Sequence, residues 1–293
     1  MRGSDAVRIL VTGATGNVGR LVVARLAQAG ASVIALTRNP KTATFPSGVR
    51  VVQGDLKRPE TFTAALESVK SMYLFPVPAT VREVVALAKK SGVRRIVVLS
   101  SGAVEGGADT SFHFPVERAV EEAGLEWTHI RPGEFMLNKL WLWGPSIRSE
   151  RVVRDPFPES AWYPVHERDI ADAASVALLE DNHSGKAYTL NGPELISHRD
   201  QVNAISEAIG ENIRFEKITP QQARKLYLKQ GGFAAANAEF LSGFRDYSGG
   251  ESDPESKVHF NPQSLPPMPT AMPVTGRART FAEWARDHAQ EFQ

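Results

Sequence analysis

One segment constrains this chain more than any other. The apolar run Ile9-Leu10-Val11 leads into Thr12-Gly13-Ala14-Thr15-Gly16-Asn17-Val18-Gly19, and the residues Val18, Leu21, Val22 and Leu26 that follow recur at helical spacing. A strand, a turn with three glycines and a helix therefore succeed one another without a break. In such a turn the first glycine makes the bend, the second lets a ligand approach the backbone, and the third allows the helix to pack closely on the strand. The helix that follows offers free N–H groups and a partial positive charge at its N-terminus, a setting for a pyrophosphate. Gly13, Thr15, Gly16, Asn17, Val18 and Gly19 are accordingly expected to bind a dinucleotide, the alternative being a tight turn with no ligand.

The same rhythm continues. Short runs at Val7–Val11, Ser32–Leu36, Val49–Val52, Ser71–Phe75, Arg95–Leu99 and Glu126–Ile130 read as strands covered on both faces. Helical patterns at Pro59–Val69, Thr80–Ser91 and Pro115–Ala123 separate them, and Gly30, Gly92 and Gly124 stand where helices should stop. Strands alternating with crossover helices imply an α/β chain built on a Rossmann-type, doubly wound parallel sheet.

After Arg131 the pattern loosens. A helix at His166–Leu179, a short strand at Ala187–Leu190, a helix from Ser197, a strand at Ile213–Lys217 and helices at Thr219–Gln230 and Phe233–Phe244 make a smaller α-rich C-terminal lobe. Prolines recur between Ser248 and Thr275, where a long loop with no regular element is expected. Thr280 can cap a last helix with Phe281, Trp284, Ala285 and His288 on one face. The expected division is a nucleotide-binding domain at residues 1–155 and a substrate-binding lobe at 156–293, with interleaving segments allowed. There is no internal repeat.

Composition narrows the function classes. The 293 residues hold no cysteine, which excludes disulfides, thiolate metal sites and cysteine nucleophiles. Thirty-four Lys and Arg against 33 Asp and Glu give no electrostatic case for nucleic acid or a membrane surface as partner. Apolar runs such as Arg95–Leu99 fall far short of the roughly 20 residues of a membrane helix. Met1-Arg2-Gly3-Ser4 lacks an apolar signal core and reads as a cloning remnant, so a cytoplasmic location is the expectation.

The choice of dinucleotide turns on the end of the second strand, where an NAD site carries a carboxylate about 20 residues after the glycines. This chain has Thr37-Arg38-Asn39-Pro40-Lys41 instead. Arg38 can hold a 2′-phosphate through paired hydrogen bonds and stack on adenine, with Lys41 adding charge, so NADP(H) is favoured over the reading of Arg38 as a plain surface cation. Asp55, in Gly54-Asp55-Leu56, can accept from the adenine amino group or cap the next turn, with Leu56 beside it. Phe75 and Pro76, in a proline-stiffened turn after the fourth strand, are expected against the cofactor ribose.

These motifs, with Gly124-Leu125-Glu126-Trp127-Thr128-His129-Ile130-Arg131-Pro132-Gly133-Glu134-Phe135-Met136-Leu137-Asn138 and His166-Glu167-Arg168-Asp169-Ile170-Ala171, give the chain its family likeness. It resembles the NmrA-like branch of the atypical short-chain dehydrogenase/reductases, which includes bacterial NADPH-dependent quinone reductases and azoreductase-like members. The resemblance implies that Pro132, Gly133 and Phe135 lie near the nicotinamide. It also implies that Glu117 is the family's helix glutamate, which puts His113 at the lysine position and Asp109 at the tyrosine position of the wider superfamily's Tyr-x-x-x-Lys pair. That pair is missing here. Some NmrA-like members bind NADP as redox sensors, so a protein partner belongs to that alternative.

His113 is expected to touch the nicotinamide ribose or to donate a proton, or else to be structural. Ser100, after the fifth strand, is expected at the cofactor, where it can polarise a carbonyl or cap its own loop. Phe135, Trp141, Trp143 and Tyr163, with Trp162, can form the wall on which a flat substrate stacks, or the core of the lobe. His166 at a helix start reads as structural. The seven histidines show no metal spacing, Glu117, Glu121 and Glu122 read as a solvated helix face, and no Gly-x-Ser-x-Gly elbow occurs, so neither a metal site nor a serine hydrolase is expected. Together these readings favour an NADPH-dependent oxidoreductase acting on a quinone or conjugated carbonyl compound, with a non-enzymatic NADP(H) sensor as the alternative.

Overall fold

The computed structural model describes residues 7–255 and 266–293. Within them the chain divides into two interleaved units. The first runs to Pro132 and adds Glu167–Leu190 and Ala271–Arg277; the second takes Gly133–His166, the described residues of Asn191–Thr270, and Ala278–Gln293. Residues 133–155, grouped above with the nucleotide-binding domain, thus belong to the second unit, and the helix and strand of Glu167–Leu190 return to the first. Pairing explains the return: Lys186–Leu190 lies parallel to the sixth strand and becomes a seventh strand of the main sheet.

In the first unit the strands are β1 (Arg8–Val11), β2 (Ser32–Thr37), β3 (Arg50–Gln53), β4 (Ser71–Leu74), β5 (Arg95–Leu99) and β6 (Glu126–Pro132). All pairs are parallel, in the spatial order β3-β2-β1-β4-β5-β6 followed by Lys186–Leu190. The order reverses between β1 and β4, so the loops leaving those two strands open the crevice at the carboxyl edge where α/β sheets place their ligands. β3 departs from the expected two-sided burial: three of its four residues are exposed, because it lies at the sheet's edge.

The helices α1 (Gly19–Gln28), α2 (Val81–Lys90) and α3 (His113–Glu122) follow β1, β4 and β5. Val84, Val85 and Ala88 of α2 and Val116 and Val120 of α3 share one buried cluster with Leu10, Ile34, Met72, Ile96 and Val98 of the strands. Pro59–Leu66, expected as an α-helix, is a 3-10 segment broken at Phe62, whose ring joins the same cluster. The helix Glu167–Leu179 packs against α1, and an ion pair of 2.6 Å joins Arg25 to Asp172. Its buried Ala171, Ala173, Ala174 and Ala177 add almost no bulk, which suits a helix pressed against neighbours. The stop glycines Gly30, Gly92 and Gly124 all have left-handed φ.

The second unit is mostly helical. Its core gathers Trp143, Ile147, Val202, Ile205, Tyr227, Phe281, Trp284 and Phe292. Two small ladders, Val152–Asp155 with Arg214–Lys217 and Ala161–Trp162 with Ile196–Ser197, complete it. Thr219 and Thr280 form capping boxes with Gln222 and Glu283 at the starts of Pro220–Gln230 and Phe281–Asp287. The expected single helix over Phe233–Phe244 is two short ones, Gly232–Ala236 and Ala238–Leu241. In the proline-rich stretch a one-turn helix forms at Met272–Thr275, while residues 256–265, including Pro262, and Met1-Arg2-Gly3-Ser4 lie outside the described residues. None of the described helices is long and apolar enough to cross a membrane.

Candidate functional site

Within the turn after β1 the bonds are backbone to backbone. Gly13 takes φ +59°, and its carbonyl accepts from the N–H of Gly16 at 2.9 Å. A Cβ on Gly19 would stand 2.2 Å from the Gly13 oxygen, so helix and turn approach more closely than any side chain permits. A Cβ on Gly16 would meet that oxygen at 3.1 Å. Thr15, Gly16 and Asn17 are exposed, Val18 and Gly19 buried. Val18 precedes α1 with no side-chain cap, and α1 has no acidic residue in its first turn. Among the described residues no acceptor faces the N–H groups of Thr15, Asn17 and Val18. A row of unpartnered donors at a helix start suits an anion.

Thr12 fixes this turn against the exit of β4, a role the sequence reading did not give it. Its N–H and Oγ1 both donate to the Tyr73 carbonyl, at 3.0 and 2.9 Å, and Oγ1 accepts from the Phe75 N–H at 2.8 Å. Phe75 is thereby pressed on the turn, its Cβ 2.9 Å from where a Gly13 side chain would begin, with 42% of the residue left exposed. Pro76 behind it is buried. The signal available in the sequence was a hydroxyl residue directly before the first glycine.

At the ends of β2 and β3, Arg38 and Lys41 are exposed and neither side chain has a partner among the described residues. Asp55 accepts from the Lys57 N–H at 3.0 Å through Oδ1 and so caps the next turn, leaving Oδ2 uncommitted; Leu56 is buried beside it.

The start and inner face of α3 carry a run of polar side chains spaced four apart: Asp109, His113, Glu117 and Glu121. Glu117 corrects the expectation of a solvated face, being 2% exposed. Arg131 grips it with two bonds, Nε to Oε1 at 2.9 Å and Nη2 to Oε2 at 2.6 Å, and the Ser100 hydroxyl donates to Oε1 at 2.5 Å. Burial alone raises the Glu117 pKa, but the Arg131 and Ser100 bonds outweigh it and hold the carboxyl below the usual range. Ser100 thus spends its hydroxyl on Glu117, while its neighbour Ser101 caps the loop by accepting from the Ala103 N–H. His129, fully buried and stacked on Trp127 at 4.4 Å, turns Nε2 to Glu121 at 3.2 Å; burial pushes its pKa down. Ligand atoms of Glu117, Glu121 and His129 lie within 4.8 Å of one another, but Arg131 already balances the Glu117 charge, and a cation there would face the guanidinium.

Asp109 and His113 form a separate pair. Asp109 Oδ2 lies 2.6 Å from His113 Nδ1, and Oδ1 accepts the N–H groups of Phe112 and His113 at 3.0 and 3.1 Å.

Pro132 closes β6, its carbonyl 3.4 Å from where a Gly102 side chain would begin. Gly133 and Phe135 open the second unit, where Phe135 bridges to Val165. The other aromatic residues expected to form one wall stand in separate neighbourhoods of that unit. Trp141 is 39% exposed and lies against Phe233 at 5.5 Å. Trp143 is 1% exposed, packed edge-on to His198 with the Lys139 ammonium 4.6 Å from its ring centroid. Tyr163 is buried beside Trp162. Trp143 and Tyr163 are buried, in keeping with the alternative of core residues. His166 is buried with Nε2 3.3 Å from Asp287 Oδ2.

The sequence model of the NmrA-like family matches residues 5–255. Over 97% of the chain and 99% of the relative, it is 36% identical to the (4-alkanoyl-5-oxo-2,5-dihydrofuran-3-yl)methyl phosphate reductase of Streptomyces griseus. It is 34% identical to the NAD(P)H azoreductase of Xenophilus azovorans, again over 97% of this chain and 99% of that one. Among solved structures, triphenylmethane reductase of a Citrobacter species, complexed with NADP(H), superposes with a TM-score of 0.74 over 96% of this chain and 99% of its own, at 19% identity. An NADPH-dependent quinone oxidoreductase of Escherichia coli, complexed with NADPH, gives 0.73 over 95% and 99%, at 22% identity. These two likenesses are of fold.

Proposed function

The chain belongs to the NmrA-like family, and from that premise we propose that it is an NADPH-dependent oxidoreductase whose substrate is a small, flat, electron-poor molecule, a conjugated carbonyl compound or a quinone. The observation that carries the reading is the row of unpartnered N–H groups at Thr15, Asn17 and Val18, with the unpartnered cations Arg38 and Lys41 at the end of the neighbouring strand β2. Pyrophosphate on the glycine turn and a 2′-phosphate on Arg38 and Lys41 would satisfy both sets of donors. Asp55 keeps an oxygen for the adenine amino group, and Phe75 and Pro76 would flank the ribose, with Ser100, His113 and Pro132 further along the same edge. Bound NADPH would supply the hydride; the protein would orient the acceptor and keep water from it.

The substrate class draws support from the Streptomyces griseus relative, whose name denotes an oxo-dihydrofuran bearing an alkanoyl group, a ring alkene conjugated to carbonyls. The two relatives described above are both named as reductases, which favours an enzyme over a sensor that acts on a protein partner.

The test is NADPH oxidation followed with a panel of enones, alkanoyl butenolides and quinones, alongside calorimetric titration of NADPH and NADH. Steady turnover with at least one acceptor and tighter binding of NADPH support the proposal. Tight NADPH binding with no turnover on any acceptor would replace it with the sensor reading, and absence of NADPH binding would overturn both.

A further inference from the structure

The Asp109–His113 pair has more bonds than a helix start needs. Phe112 stands at the N-cap position, and Oδ1 of Asp109, three residues before it, already anchors the start of α3 by accepting from the N–H groups of Phe112 and His113. Its second oxygen goes to the imidazole, 2.6 Å from Nδ1. With three donors upon it and 9% of its surface exposed, Asp109 is a fixed group. Burial raises its pKa, but the bonds from the His113 ring and the two N–H groups more than offset this, so it is ionised and can only accept. Nδ1 of His113 must then carry a hydrogen. The neutral ring has a bare Nε2, and the charged ring has its one disposable proton there.

Nε2 has no partner among the described residues, and 20% of the side chain is open to solvent. The Phe112 ring stands edge-on at 4.8 Å and limits the ring's freedom. Position completes the case. All the strands of the seven-stranded sheet are parallel, so the end of β5, the start of α3 that follows it, and the glycine turn after β1 lie at one edge of that sheet. His113 is the first residue of α3.

We propose that Asp109 is a positioning residue that fixes His113 with its proton at Nδ1, so that Nε2 of the charged ring delivers a proton to the substrate after hydride has added to it. The inference rests on the reductase reading above. With a conjugated carbonyl compound, hydride bonds to the β-carbon, the alkene π pair moves towards the carbonyl to give an enolate, and NADPH leaves as NADP+. The enolate α-carbon takes the proton from Nε2, whose N–H pair returns to the ring. The imidazole is left neutral, keeps Nδ1–H on Asp109, and is reprotonated by water. One hydride and one proton thus saturate one double bond. A quinone needs less, since the oxygen of its reduced form takes a proton from water.

The test uses Asp109→Asn in the full chain. The amide retains an oxygen for the two backbone N–H groups, so the helix start is preserved, but its NH2 group faces Nδ1 and drives the proton to Nε2. In cofactor-free protein labelled with ¹⁵N-histidine, with His113 assigned from His113→Gln, neutral His113 should show Nδ1–H in the unmodified chain and Nε2–H in Asp109→Asn. With saturating NADPH, kcat on a conjugated carbonyl acceptor should fall by about 10²-fold, the scale of one general-acid contribution, while KM for NADPH and kcat on a quinone stay within about twofold. Asp109→Glu should restore part of the loss, and Asp109→Asn should cost nothing further in the His113→Gln background. An unmodified chain already in the Nε2–H form overturns the pairing. Equal loss on both acceptor types, or additive losses in the double variant, overturns the proton role. If the unmodified chain oxidises no NADPH, the reductase reading fails and the proton role with it, while the spectrum still reports on the pairing by itself.

Discussion

At the carboxyl edge of the sheet, Arg38 and Lys41 stand in the open, and neither they nor the N–H groups of Thr15, Asn17 and Val18 have a partner among the described residues. The second unit treats its polar groups differently. Lys139 is 2% exposed and is closed off by Glu134 at 2.8 Å and by the Trp143 ring, while buried Asp155 takes the Phe157 N–H at 2.8 Å and His198 Nδ1 at 3.1 Å. One region leaves its donors unspent, and the other consumes its charges internally. Burying an unpaired ion costs several kcal/mol, so the Lys139 and Asp155 pairings are conditions of folding, whereas exposed donors cost the fold nothing and are free for a ligand.

The contrast can be broken most sharply at Gly16. Its missing side chain borders only the Gly13 oxygen, at 3.1 Å, so Gly16→Val should keep the fold while its branched side chain fills the place where pyrophosphate must approach. NADPH titration should fall to background with the melting temperature little changed. At Gly19 the same change would unfold the turn, since a Cβ there meets the Gly13 oxygen at 2.2 Å. Normal NADPH binding by Gly16→Val would show that the turn is only a turn.

Two tryptophans two residues apart test the other region. Trp143→Ala empties a site in the second unit's core and should cost about 3–5 kcal/mol in denaturant unfolding. Trp141→Ala, at a ring 39% exposed, should cost no more than about 1 kcal/mol. If Trp141 serves the substrate, its loss raises KM for the acceptor and leaves KM for NADPH alone. Equal destabilisation by the two changes would erase the distinction between surface and core on this segment.

These two residues also mark where sequence reading stopped. The glycine turn and six strands with bounds correct to about two residues were legible because they are local: a period and a turn residue are visible within some ten positions. The pairing of the seventh strand with β6 was not legible, because it spans more than fifty residues of intervening chain. Glu117 was misread for a related reason. A carboxylate at helical spacing with other acids looks solvated, and only the arrival of Arg131 from β6 shows that it is buried and paired.

Arg38 sharpens the comparison on the cofactor side. Its guanidinium has no bond within the described chain, so Arg38→Ala removes nothing from the folded state and should leave unfolding unchanged. NADPH affinity should drop by roughly 10- to 150-fold, the equivalent of a charge-assisted hydrogen bond of about 1.5–3 kcal/mol. NADH affinity should hardly move. Equal weakening of both dinucleotides in calorimetry would take Arg38 away from the 2′-phosphate and return the choice of cofactor to Lys41 or elsewhere.

The smallest expected effect comes from Thr280, where the second unit spends a polar group in a way the sequence did reveal. Its Oγ1 accepts from the Glu283 N–H at 3.2 Å, and the Glu283 carboxylate reaches back to the Thr280 N–H at 2.8 Å. Thr280→Ala deletes the first bond but keeps the second, because alanine retains its own N–H. The Phe281 N–H is also spared, since Glu194 receives it at 2.8 Å. With one of three donors released at the start of Phe281–Asp287, the cost should be about 1 kcal/mol, a fall of some 2–4 °C in melting temperature. Phe281 and Trp284, both in the core, keep the helix docked, so NADPH titration should be indistinguishable from that of the unmodified chain. A weakened NADPH titration in Thr280→Ala would mean that this cap is coupled to the glycine turn, and that polar groups spent on folding the second unit also serve the ligand.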